Sequence, residues 1–550
     1  MRPGSATEPA RAHRRGPRWL PATLLLCGAS VGHAEDVRYV VQPGDNPWNV
    51  TERYLLGVDY RPRIQTLNRI TDPTHLRPGT VLRLPAAWLK RIATEIRLTA
   101  WSGDVSWSRP DGVAVTASAG AVLMSGARLR TGANASATLV FDDGSRVVVL
   151  SDSELWITQA ARYAAGGPAV QLQLIRGALE NLVTPRGDLP GRFEISTPAA
   201  VAAVRGTEFR VSAGANEARS EVLRGAVDLG NAAGRQGLRP GFGSRTDADR
   251  APIAPVPLLP APDLAAAPGL VERLPFAAAI PPLPGAVAYR TQLATDAAFG
   301  SVVANRLVDG PALTIVDVAD GEYRLRARGV DANGLEGFSA DRTITVHARP
   351  EPPTPIEPPV DAQVVAERPT LRWTGVARAT TYHLQLSDAA TFTTVLLDEP
   401  MLATTSLQTP AALGTGPYFW RVATSEAPIG QGPYSDAQPF RRVLPGPGID
   451  PPDPGGDPLD LRWRSAGSGV HYRVQLARDV SFGTPLIDTV VTDPRYPLKK
   501  PEAGDYFLRV AAIAPDGYAG PWGTVQTLSI ADASTPWWPV LLFLVPLLFL

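Results

Sequence analysis

The sequence predicts a multidomain, mainly β protein: a small βααβ unit, an all-β domain, then three tandem β-sandwiches. Three observations predict this. Apolar residues alternate in short runs closed by glycine turns. Glycine and proline, 50 and 55 of the 550 residues, are too frequent for long helices. Three stretches of about 90 residues repeat the same words. A chain of this length also exceeds what one core can organise.

The first segment, residues 1–34, reads as a cleaved secretory signal peptide. It has Arg11, Arg14, Arg15 and Arg18, then an apolar run from Trp19 to Val31, then small residues before Ala34-Glu35. The only cysteine, Cys27, lies inside it, so the mature chain has no disulfide, thiolate ligand or cysteine nucleophile.

The βααβ unit spans 37–86. Its words are Tyr39-Val40-Val41-Gln42-Pro43-Gly44-Asp45-Asn46-Pro47-Trp48, then Ile64-Gln65-Thr66-Leu67-Asn68, then Leu76-Arg77-Pro78-Gly79-Thr80-Val81-Leu82-Arg83-Leu84-Pro85. They resemble a LysM module, which binds N-acetylglucosamine-containing glycans such as peptidoglycan. The resemblance implies a shallow groove between the loop after the first strand and the loop before the second. Glycan binding needs amide donors for acetamido groups and an apolar surface for the sugar face. Asn46, Asn68 and backbone near Gly44 would supply the first, and Ile70 and Leu76 the second. Asp45 completes the candidate set, with helix capping as its plainer role. Trp48, at the start of the first helix, is expected to face the core. The sequence departs from the family at Asn46-Pro47-Trp48, where a hydroxyl residue and Leu are usual.

After a short connector at 91–98, residues 96–245 form the all-β domain. Strands are expected at 137–141, 146–150, 170–175, 192–196, 207–212 and 221–229. Asp142-Asp143-Gly144-Ser145 between the first two is a hairpin signal. Four ordered blocks resemble the FecR family: Gly126-Ala127-Arg128-Leu129-Arg130-Thr131-Gly132, Leu139-Val140-Phe141-Asp142-Asp143-Gly144-Ser145, Phe193-Glu194-Ile195-Ser196-Thr197-Pro198 and Ala203-Val204-Arg205-Gly206-Thr207-Glu208-Phe209-Arg210-Val211. The resemblance implies an all-β extracytoplasmic domain. The family's anti-sigma role is not carried over, because a leader and the βααβ unit stand where a cytoplasmic segment would be. Gly206 is read as permitting a bulge or tight backbone approach, with Arg205 pairing internally. Glu180, Glu194 and Glu208 sit in strand contexts and are expected to face solvent.

Residues 250–284, rich in proline and alanine, read as a semi-rigid spacer overlapping the first sandwich. Shorter linkers are expected at 350–359 and 446–457. The sandwiches occupy 263–348, 354–443 and 450–531. Tyr289-Arg290-Thr291-Gln292-Leu293, Tyr382-His383-Leu384-Gln385-Leu386 and Tyr472-Arg473-Val474-Gln475-Leu476 are one strand repeated. Ten residues after each Tyr stands Phe299, Phe392 or Phe482. The later words are Gly321-Glu322-Tyr323, Gly416-Pro417-Tyr418 and Gly504-Asp505-Tyr506. These repeats resemble fibronectin type III domains, which implies spacers or adhesive modules. The hydrophobic tail, 536–550, has Trp537-Trp538 and an uncharged end; its last eleven residues, at ~1.5 Å each, reach about half of a ~30 Å bilayer core. It reads as membrane-associating.

Catalysis has no visible constellation. Four histidines follow the leader (His75, His347, His383, His471), none at metal-ligand spacing. Gly28-Ala29-Ser30-Val31-Gly32 has the form of a nucleophile elbow but lies in the leader. Arg186-Gly187-Asp188 is read as incidental. Net charge is zero, so nucleic acid is not an expected partner. The expectation is therefore a non-enzymatic, exported periplasmic or envelope protein with no cofactor and no metal. Its partners would be peptidoglycan or another N-acetylglucosamine glycan, an envelope protein, and a membrane at the tail. The alternatives are a FecR-type sensor acting through a membrane partner, a surface adhesin, and a wall-lytic enzyme.

Overall fold

The computed structural model describes residues 36–185, 191–204, 206–315, 317–451 and 457–531. The leader at 1–34, Arg186-Gly187-Asp188, Arg205 and the tail at 536–550 lie outside the described residues. Strands dominate, as expected for a multidomain β protein. Two compact units result. The first holds the chain to residue 266 with 278–313 and 324–342; the second holds 267–277, 314–323 and the chain from 343.

In the first unit, β1 (Asp36–Val40), α1 (Pro47–Tyr54), α2 (Arg61–Leu67) and β2 (Val81–Pro85) form the expected βααβ unit. The strands pair antiparallel, with Tyr39 opposite Leu82. Val37, Val41, Val50, Leu55, Ile64, Leu82 and Leu84 are buried between sheet and helices. The core does not stop at the unit's edge: Ala161, Tyr163 and Ala169 of the next domain belong to it. Residues 91–98, expected to be a connector, instead supply the strand Arg91–Ala93, which pairs with Ala161–Tyr163 of Glu154–Tyr163. Backbone groups of this exposed connector thereby find partners in the sheet.

The strands from Arg91–Ala93 to Val256–Pro257 close into a barrel. Its longest strand, Pro168–Leu182, outruns the expected 170–175. It pairs with Glu154–Tyr163 over its first part and with Glu208–Ala213 from Gly177 on. Gly177 makes this turn possible: its φ is +95°, and a Cβ there would lie 2.1 Å from Ser153 Oγ. The hairpin Ser136–Phe141 to Arg146–Val149 forms as expected, with Val140 opposite Arg146. The expected strand 221–229 is two strands, Glu217–Arg224 and Val227–Asn231, because Gly225 turns at φ +79°. Gly206 does serve a tight approach, since a Cβ there would lie 2.8 Å from Pro185 Cα.

Residues 250–284 do not behave as a free spacer. Val256–Pro257 pairs with Phe242–Asp247, and Leu258 and Leu264 are buried. Leu258 finds cover against Gly243 of the barrel, and Leu264 O accepts from Arg342, so the segment is held in place.

In the second unit, each of the later sandwiches has a three-stranded sheet and a larger one. Trp373 and Trp420 fill the core of the second, with ring centroids 6.3 Å apart. Trp463, Tyr472 and Val510 sit in the core of the third. The repeated words have one structural meaning throughout. The hydroxyls of Tyr289, Tyr382 and Tyr472 each accept the backbone N–H six residues upstream, from Leu283, Val376 and Ala466. Phe299, Phe392 and Phe482 each take the left-handed conformation, φ +53° to +54°, which disfavours a bulky residue. An arginine covers each ring: Arg326 at 3.5 Å, Arg421 at 4.1 Å and Arg509 at 4.0 Å from the centroid.

Candidate glycan site

Two loops frame the site, one between β1 and α1 and the other between α2 and β2. The Val41 N–H donates to Thr80 O at 2.8 Å, and the Gly79 N–H donates to Val41 O at 2.9 Å. These bonds hold the loops side by side, as the groove requires.

Asn46 is the N-cap of α1. Its Oδ1 accepts from the backbone N–H of Trp48 at 2.9 Å and of Asn49 at 3.0 Å. Asn49 reciprocates: its Oδ1 accepts from the Asn46 N–H at 2.9 Å. Asn49 Nδ2 also donates to Gly44 O at 2.9 Å. Among the described residues Asn46 Nδ2 meets no acceptor, and Gly44, two residues before it, sits at φ +89° with open space where a Cβ would be.

Asp45 has another task than capping. It is 7% exposed, and its Oδ2 accepts from the Tyr39 hydroxyl at 2.5 Å and the Gln42 N–H at 2.8 Å. Arg53 stands 3.6 Å from its other oxygen. Burial, and then the hydrogen bond to Asp45, push the Tyr39 hydroxyl well above its usual range. Asp45 thus folds the loop through its Oδ2.

Asn68 is equally committed. Its Nδ2 donates to Ile64 O and Arg83 O, both at 2.9 Å, and its Oδ1 accepts from the Arg83 N–H at 2.6 Å. The amide locks the end of α2 onto β2. Ile70 and Leu76 are half-buried, packed on the unit's core with their remaining surface available.

Trp48 departs from expectation. It is 51% exposed, with the Arg61 guanidinium 4.5 Å from its ring centroid. The buried positions of α1 are Pro47, Val50 and Thr51, and Trp48 lies outside that stripe. This was legible in principle: Asn46 as N-cap fixes the helical phase, and Val50 marks the inward face. Asn46 and Trp48 thus stand at the start of α1, and Ile70 and Leu76 on the loop between α2 and β2. Among the described residues no group of three or more His, Cys, Asp or Glu side chains could hold a metal ion.

Residues 39–85 match the LysM domain family, and residues 127–228 match the FecR protein family. No curated protein matches this sequence. A Parabacteroides distasonis protein assigned as an anti-sigma factor aligns at 16% identity and TM-score 0.20, over 24% of this chain and 59% of that one. A two-domain fibronectin type III segment of chicken tenascin aligns at 17% identity and TM-score 0.24, over 32% and 98%. The fibronectin(III)-like modules of Clostridium thermocellum CbhA align at 14% identity and TM-score 0.18, over 34% and 96%.

Proposed function

We propose, for a chain that carries a LysM domain and a FecR domain, that it is a non-enzymatic cell-envelope protein that holds peptidoglycan through the first and presents the second as a sensory or scaffold domain. The observation that carries the reading is the pair of bonded loops, with Asn46 and exposed Trp48 following one and half-buried Ile70 and Leu76 on the other. An acetamido carbonyl suits the amide donor, and the flat face of a sugar suits the apolar side chains. One such module binds weakly, and a chain anchored near its polymer gains through effective concentration. Export and contact with a membrane belong to the same proposal, resting on the leader and tail patterns in the sequence. So does an envelope protein partner for the FecR domain.

Co-sedimentation of the purified chain with insoluble peptidoglycan tests it. The wild type is expected in the pellet. Trp48→Ala is expected to lower the pelleted affinity about fivefold, roughly 1 kcal/mol, with an unchanged melting temperature. A wild-type chain that stays folded in the supernatant would refute the tether.

A further inference from the structure

The first sandwich differs from its siblings at two registered positions, and both meet the barrel. In the second sandwich, Gln385 lies opposite Asp398 on the neighbouring outer strand and opposite Arg421 on the inner one. In the third, Gln475 lies opposite Asp488 and Arg509 in the same way. Each glutamine accepts from Nε and Nη2 of its arginine at 2.6–3.0 Å. Each donates through Nε2 to its aspartate, at 3.1 and 2.9 Å. The aspartate also holds the residue two before the glutamine, His383 or Arg473. Each sibling thus supplies its own carboxylate.

The same registers in the first sandwich read Gln292 opposite Asn305 and Arg326. A neutral amide stands where the siblings carry aspartate. Opposite Arg290 stands Arg328, where the siblings have Ala423 and Ala511. One carboxylate is lost and one guanidinium gained. The sandwich's own Glu336 holds Arg290 and Arg328, and its Asp341 holds Arg326, but the carboxylate that Gln292 donates to comes from the barrel. Glu180 Oε1 accepts from Gln292 Nε2 at 3.2 Å and from Arg328 Nη2 at 2.8 Å, and Arg326 lies 3.7 Å from Oε2. Asn305 turns its Nδ2 to Ser151 of the barrel, 3.0 Å away, a bond in which a carboxylate could not be the donor. Around this point the arginines 210, 290, 326 and 328 face the carboxyl side chains Glu180, Glu221, Glu336 and Asp341. Glu180, expected to face solvent, is 17% exposed and Arg328 is 2% exposed.

We infer that this barrel face is a docking surface for a β-sandwich whose central glutamine has no aspartate opposite it on the outer strand, that the first sandwich fills it in cis, and that Asn305 and Arg328 select it over the other two. Glu180 is the positioning residue on the barrel side. Apolar contact supports the dock: Val148 and Leu150 of the barrel pack on Ala294, Phe299 and Val302. Two backbone amides report docking directly. The Val302 N–H donates to Ser136 Oγ at 3.0 Å, and the Glu336 N–H donates to Glu221 Oε1 at 3.2 Å. An external partner for this face must present the same cluster and displace the sandwich.

Hydrogen exchange on the full chain tests the inference. The double variant N305D/R328A converts the face to the sibling pattern with residue types that the siblings already fold with. It is expected to speed exchange at the Val302 and Glu336 amides at least tenfold, while the strand Ala288–Ala294 keeps its wild-type rates. Unchanged exchange at the two amides overturns the inference. So does equal acceleration along Ala288–Ala294, because that is unfolding and not undocking. Glu180→Lys approaches from the barrel, outside the sandwich's own core, and is expected to release the same two amides. If it leaves them protected, Glu180 is not the docking carboxylate.

Discussion

Asn68 makes three hydrogen bonds with a single amide, and all of them join α2 to β2. Replacing it with alanine removes all three bonds, although Ile64 O keeps the backbone N–H of residue 68. Asn68→Ala is expected to destabilise the LysM unit by about 1 kcal/mol, because the groups it leaves at Arg83 are open to water. Urea unfolding followed by tryptophan fluorescence measures this, and an unchanged midpoint would show that water replaces the amide without loss. Asn46→Ala removes an N-cap and is expected to cost about 1 kcal/mol in the same way. Loss of pelleting in either variant would mix unfolding with lost sugar contact, so Trp48 is the cleaner probe. Residue types at 45, 46 and 68 were readable as polar groups near a groove. Which of their atoms stay available was not, because that depends on Tyr39, Asn49 and Arg83, brought near by the pairing of strands and the phase of α1.

At the scale of elements, the strand Arg91–Ala93 and the shared core make the LysM unit part of the barrel's structure. Tyr163, 2% exposed, is the large side chain at that seam. Tyr163→Ala is expected to remove about 3 kcal/mol of packing. Amide exchange along Arg91–Ala93 should rise while exchange along Phe209 and Val211 in the barrel core stays slow. Equal rises in both places would mean that the seam is not a separable contact. The hairpin at 142–145 was legible because Asp-Gly between two apolar runs is decided locally. The break at Gly225 and the long strand through Gly177 were not. Their glycines answer to Thr207 and Ser153, whose closeness no local pattern announces.

For the first unit as a whole, the buried charge cluster sets the response to pH. Burial pushes the Glu221 carboxyl up to about 7, with Arg210 offsetting only part of this. Burial alone would also raise Glu180 and Glu336, but the arginines outweigh it and hold both below the ordinary range. The signs are therefore opposite. Between the ordinary value of 4.5 and about 7, the folded state holds a proton on Glu221 that the unfolded state has released. Stability from this group falls as pH rises through that window. Stability from Glu180 and Glu336 is present above the ordinary carboxylate range and is lost as pH falls through it. The first unit is expected to be most stable under mildly acidic conditions. Glu221→Gln should flatten the decline towards pH 8, by up to about 3 kcal/mol. Denaturation midpoints at pH 5 and pH 8 decide this; the same decline in variant and wild type would remove Glu221 as its source.

The sequence by itself determined the mainly β architecture, the three repeats and the two recognisable domains, because alternation, turn glycines and repeated words act over a few residues. It also held the two substitutions that set the first sandwich apart, Asn305 and Arg328, visible once the repeats are registered. Only the tertiary structure decided what those substitutions meet. Glu180 lies 112 residues before Gln292 in sequence and 3.2 Å from it in space. A buried charge is stable only beside its opposite, and chain folding alone selects which distant carboxylate stands there.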